Sequence, residues 1–142
     1  MKIIVFVLFV LIPLTINSQE SGDCNELKFG VFEIYENEEK IGIIFRNDKY
    51  QIEKYPNTEE LTIGKIKSDK CKFYIKSYKV KNDLDTITWV ASYKKEQNYY
   101  SFEAKPLYLK ISYKYEGRIM KVSNEITDKR ILNTFLELEK KE

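Results

Sequence analysis

The chain has 142 residues with 24 Lys and Arg against 22 Asp and Glu, a net charge of +2, and the two signs are interspersed along it. That pattern is a solvated surface and excludes the clustered positive groove that nucleic acid requires. The chain has no histidine, which removes the usual general base for a serine or cysteine nucleophile.

Lys2 precedes an apolar run over residues 3–12 that continues past Pro13 to Ile16 and gives way to Asn17-Ser18-Gln19. A short positive start, a compact apolar stretch and a small residue before a polar one form a secretory signal peptide. Cleavage is expected after Ser18, with an uncleaved membrane anchor as the alternative. Pro13 and the shortness of the run argue against a span, which takes about 20 apolar residues. Asp23 stands directly before Cys24, where a lipid-anchor site takes a small residue, so no lipid anchor is expected there. Residues 19–142 then make one domain with no membrane span, periplasmic or extracellular.

Cys24 and Cys71 are the only cysteines. In an exported chain they predict one disulfide, two free thiols or a metal site being the alternatives. The metal reading is short of ligands, and neither metal nor cofactor is expected.

In chain order, 19–26 is a polar lead-in and 28–35 the first strand, with Gly30 a bulge or close-approach point. Glu36-Asn37-Glu38-Glu39 is a turn. Residues 40–55 form the clearest hairpin, turning at Asn47-Asp48. With a two- or four-residue loop, Tyr50 and Ile52 join the face of Ile41, Ile43 and Phe45, and Arg46, Gln51 and Glu53 share the other. A turn at 55–58 leads to a strand over 61–68, and Asp69-Lys70 leads into 71–80. That hairpin is expected to set Ile66 near Phe73 and Ser68 near Cys71. In 71–80, Cys71, Phe73 and Ile75 point one way and Lys72, Tyr74 and Lys76 the other.

Residues 86–93 are a further strand with Ile87, Trp89, Ala91 and Tyr93 on one face, and 99–104 its return. After Pro106 the regular alternation of 107–115 predicts a strand that turns at Glu116-Gly117 into 118–122, opposing Met120 to Tyr113 and Val122 to Ile111. From about Thr127, Ile131, Phe135 and Leu138 recur at helical spacing, with Asp128 in the first turn and Lys140 and Lys141 near the end. The expectation is all-β: an antiparallel meander or barrel-like, lipocalin-like sheet of eight or nine strands with a C-terminal amphipathic helix.

No nucleophile elbow, phosphate-cradling glycine loop or metal-ligand cluster is present, so no enzyme is expected. Arg46, Gln51 and Glu53 are the polar binding group to watch. If their face points into a barrel they can orient a ligand; the favoured alternative is a solvent-facing ladder, since the opposite face is the more apolar. Trp89, Tyr93, Tyr113 and Tyr115 read as core, whereas Tyr74, Tyr78 and Tyr108 fall on lysine-bearing faces and read as exposed aromatics.

The order Cys24, Gly30-Val31-Phe32, Arg46 with Gln51-Ile52-Glu53, then Cys71-Lys72-Phe73 resembles a group of small exported bacterial β-rich proteins of unknown function with a paired-cysteine domain. The likeness covers about residues 24–78; members often carry a tryptophan four residues before the second cysteine, where this chain has Lys67. It implies an exported β-domain and no activity. The functional expectation is an exported, non-enzymatic binding module holding a small apolar ligand in a barrel-like pocket, lined by residues such as Ile43, Phe45, Trp89 and Leu109. The alternative is a protein-interaction or inhibitor module using an exposed strand edge or tyrosine patch.

Overall fold

The computed structural model describes residues 24–79, 82–107 and 114–142, the side chains of 78, 79 and 82–86 excepted. The expected signal peptide, Leu109, Tyr108, Tyr113 and the side chain of Tyr78 lie outside these. Eight strands follow in order: β1 (Gly30–Glu36), β2 (Glu39–Arg46), β3 (Tyr50–Lys54), β4 (Leu61–Asp69), β5 (Lys72–Lys79), β6 (Asn82–Lys95), β7 (Tyr100–Pro106) and β8 (Tyr115–Ser123). Each pairs antiparallel with the next, and β1 also pairs with β8, closing the barrel. Among the described residues one α-helix, α1 (Lys129–Lys140), follows. The all-β barrel with a C-terminal helix is therefore the fold, with eight strands.

Alternation along the strands builds two apolar cores. Inside the barrel, Phe32, Ile34, Ile44, Ile66, Phe73, Ile75, Ala91 and Ile119 form a continuous cluster. Outside it, Phe45, Tyr50 and Ile52 pack against Ile131 and Phe135 of α1, with Ile43 alongside. Asp128 caps the helix by accepting from the amides of Arg130 and Ile131, and it precedes the first turn instead of lying in it. Leu132 and Leu136, beside the buried stripe, are exposed.

The β2–β3 hairpin has the expected parity, with Phe45 opposite Ile52 and Arg46 opposite Gln51. Asn47 organises the turn: its side chain accepts from the amides of Lys49 and Tyr50. Ile43 and Phe45, expected to line a barrel pocket, instead face α1 on the outside. Ile41 departs from them: a register irregularity opposite Ile34 and Tyr35 leaves it packed against the interior cluster, as a bulge re-aims side chains.

Two expected registers are corrected. Asp69 pairs with Lys72, so Lys70-Cys71 is the turn, with Lys70 in the left-handed region. Ile66 thus faces Ile75, and Ser68 faces Phe73. The shift is two residues, so each side chain keeps its face. Glu116-Gly117 is not a turn: β8 runs straight through it, Gly117 faces Phe102, and Ile119 faces Tyr100. The expected pairings Met120–Tyr113 and Val122–Ile111 fall on residues outside the described ones. A Cβ on Gly117 would lie 2.9 Å from the Tyr35 carbonyl oxygen and 3.0 Å from the Phe102 ring. The glycine therefore serves close approach within a strand.

The far end of α1 is moored by Glu142, which accepts from the Tyr50 hydroxyl at 2.5 Å and pairs with Lys49 and Lys65 at 3.1 and 3.5 Å. The hydrogen bond from Tyr50, then Lys49, holds its carboxyl down at about 2 against an ordinary 4.5. A depressed carboxylate contributes stability that is present above its unfolded value and is lost as pH falls through its folded one. The thermal midpoint should therefore fall between pH 4.5 and 2 more steeply in the parent chain than in Glu142→Gln. Coincident slopes in melts across that range would mean that the mooring does not hold in solution.

Candidate functional site

The two ends of the barrel are built differently. At the end where β1 begins, Cys24 is disulfide-bonded to Cys71 in the β4–β5 turn, with Cα atoms 5.1 Å apart. A single 3-10 turn, Asn25–Leu27, follows and drops Leu27 fully into the interior. Tyr100 donates to the Glu26 carboxylate, and Lys121 Nζ donates to the Glu26 carbonyl at 2.8 Å. A recess beside Ile66 and Phe73 at this end holds about 130 Å³, well below the roughly 300 Å³ at which small-molecule sites begin.

Arg46 locks this closure from within. Its side chain is 0% exposed. Nε donates to Gln51 Oε1 at 2.7 Å, Nη1 to the Leu27 carbonyl at 3.0 Å and Nη2 to the Tyr93 hydroxyl at 2.5 Å. The guanidinium also packs 4.6 Å from the Phe73 ring centre, 5.1 Å from Tyr93 and 5.4 Å from Phe32. Desolvating a cation is tolerable only when its N–H groups are satisfied; here neutral oxygens and three ring faces do so.

From Arg46 a polar relay runs along the inner face of β3. Gln51 Nε2 donates to Glu53 Oε1 at 2.7 Å, and the Tyr55 hydroxyl donates to Glu53 Oε2 at 2.5 Å. The three residues singled out in sequence thus sit together facing inward, and the solvent-facing ladder is corrected. The apolar face that favoured it is buried as well, but under α1. Burial, and then the negative charge of Glu53, push the Tyr55 phenol far above its ordinary range. Tyr55 therefore remains a protonated donor at any physiological pH.

Tyr55 leads to the second end. Its ring lies over Gly42, where an added Cβ would come within 2.9 Å. Nearby, Trp89 meets Tyr115 in a tilted contact, with ring centres 5.7 Å apart and planes at 54°. Both belong to the inner face by register, Trp89 opposite Ile75 and Tyr115 opposite Ala104. Yet Trp89 is only half-buried, Tyr115 is 47% exposed and Ile87 37%. Tyr93 is core as expected; Tyr115 is not. Of the expected exposed aromatics, Tyr74 lies half-buried between Lys67 and Val90 on the outside, away from this end.

Sequence reasoning missed Tyr55, which it placed in a turn, and it took Tyr115 for core. The parity that put Glu53 with Arg46 extends by two residues to Tyr55 and was the available signal. Among the described residues no three Cys, Asp or Glu side chains converge to hold a metal, and no helix is long and apolar enough to cross a membrane. Comparison with known proteins found no matching family model, curated protein or solved structure.

Proposed function

We propose that the chain is an exported, non-enzymatic binding module of lipocalin-like design that takes a small, largely apolar molecule at the Trp89 end of the barrel. The observation that carries this reading is the asymmetry of the ends. One is closed by a disulfide, a 3-10 turn and a buried arginine. At the other, inward-facing Ile87, Trp89 and Tyr115 remain partly open to solvent, whereas a filled core would bury them. Apolar walls with a few fixed polar groups are the composition of small-molecule sites. Glu53 and Tyr55 supply those groups, held in place by the relay from Arg46. A partner adding a strand is disfavoured, because every strand already has two neighbours.

Trp89 is the only tryptophan, so its emission reports on this end directly. Titration with N-phenyl-1-naphthylamine, a neutral apolar fluorophore, should give saturable energy transfer from Trp89. Ala104, half-buried on the same inner face, is the position from which to fill the space. Ala104→Leu should weaken binding about tenfold, a loss of about 1.4 kcal/mol. Non-saturable transfer, or equal affinity in a folded Ala104→Leu variant, would overturn the reading.

A further inference from the structure

On the outside of the barrel, where β7, β8 and β1 run side by side, lies a second and unrelated concavity. It is a cleft of about 600 Å³ lined by Tyr35, Tyr99, Arg118, Ser101 and the β1–β2 turn. This is the size of ordinary small-ligand sites. Arg118 is its centre, with its guanidinium carbon 5.5 Å from the Tyr35 ring centre and 5.3 Å from that of Tyr99. Tyr35 is itself pinned, donating to Glu33 at 2.6 Å, and that bond raises its phenol above the ordinary range. Glu33 is occupied in turn by Lys40 at 3.0 Å. Lys114, the other cation of the cleft, is engaged by Glu103 and Glu116 at 3.0 and 2.7 Å. Among the described residues Arg118 lies over two tyrosine rings and has no carboxylate partner, so its N–H fork is the cationic group left for a ligand.

The rim adds a second observation. Asn37 and Glu38 both adopt left-handed backbone, at φ 49° and 67°. A two-residue hairpin turn of this kind favours Asn followed by Gly, and a glutamate in the second position costs stability that glycine would not. Such local strain is a pointer to use: it keeps a carboxylate on the lip of the cleft. With Glu36 and Glu38 facing it, a doubly charged phosphate or sulfate is disfavoured, whereas a ligand with one carboxylate and many hydroxyl donors is suited to the whole lining.

We propose that this cleft binds a carboxylated saccharide, its carboxylate on the Arg118 fork and its hydroxyls on Glu36, Asn37, Glu38 and Ser101. A guanidinium held flat takes a carboxylate through two parallel hydrogen bonds, and the tyrosine rings offer surface to the C–H faces of a sugar.

The test is calorimetric titration with glucuronate, which carries one carboxylate, its methyl ester and free glutamate. Saturable binding of glucuronate is expected. It should weaken about tenfold or more in the ester and in Arg118→Gln, as loss of a charge-assisted pair requires. Arg118→Lys, which keeps the charge without the fork, should also bind more weakly, and covers the case in which the glutamine variant does not fold. Glu38→Gly should bind more weakly yet melt higher, an outcome that damage to the fold would not give. Absence of saturable binding, equal affinity for acid and ester, or unchanged affinity in a folded Arg118 variant would overturn the proposal. Glutamate binding as tightly as glucuronate would overturn the saccharide class.

Discussion

Arg46→Ala is expected to destabilise the protein by about 3–5 kcal/mol, the range for removing one partner from a buried charged network. The loss has three sources in the structure. Gln51 Oε1, the Leu27 carbonyl and the Tyr93 hydroxyl each lose their donor in a site closed to water. The faces of Phe32, Phe73 and Tyr93 lose the plane they pack on. A cavity opens where the guanidinium stood, and such cavities relax only in part. Since ordinary domains are stable by about 5–15 kcal/mol, this single change takes a large share of the total. Arg46→Met tells packing from hydrogen bonding: it refills most of the volume and leaves the three oxygens unpaired. Equilibrium urea unfolding of the three proteins is the measurement. A loss under about 1 kcal/mol for Arg46→Ala would show that the arginine is not the lock described, because truncations away from such features usually cost within about 0.5 kcal/mol.

Removal of the disulfide, by reduction or as Cys24→Ser with Cys71→Ser, should cost about 4 kcal/mol. The bond joins residues 47 apart, and the loop-entropy relation for that separation gives roughly this value. The cost falls on the same end of the barrel as Arg46. Cys24 lies three residues before Leu27, whose carbonyl Arg46 holds, so freeing Cys24 loosens the acceptor that Arg46 needs. The two losses should therefore be less than additive, as residues sharing partners behave. A double-mutant cycle in urea reads this directly. Strict additivity would mean that the 3-10 turn stays docked without its covalent tie.

How far the sequence carries can be seen at β3. Parity across the Asn47-Asp48 turn put Arg46, Gln51 and Glu53 on one face, because strand alternation is a local property that a hairpin transmits. Which face points inward is not local. Here both faces are buried, one inside the barrel and one beneath α1, so relative apolarity misdirects: Ile43 and Phe45 belong to the helix contact. Gly117 shows a second limit. A Glu-Gly pair between alternating runs has the look of a turn, and only the neighbouring strands reveal that the glycine makes room for Phe102 and the Tyr35 carbonyl. The Arg118 cleft lay furthest from view, since Tyr35, Tyr99 and Arg118 meet only because β8 closes onto β1. Closure of a meander depends on the last strand finding the first, and no short-range pattern encodes it. By contrast, the helical repeat of Ile131, Phe135 and Leu138 was plain, because an amphipathic stripe is written within a dozen residues.

A barrel locked at its Arg46 end and, as proposed, receptive at its Trp89 end is tested most directly by ¹H–¹⁵N spectra of the labelled protein during titration with N-phenyl-1-naphthylamine. Amide shifts should move saturably at Glu53, Tyr55, Trp89, Ala104 and Tyr115, while those of Leu27, Arg46, Cys71 and helix α1 stay in place. Shifts confined to the disulfide end or to the helix, or scattered shifts without saturation, would contradict it.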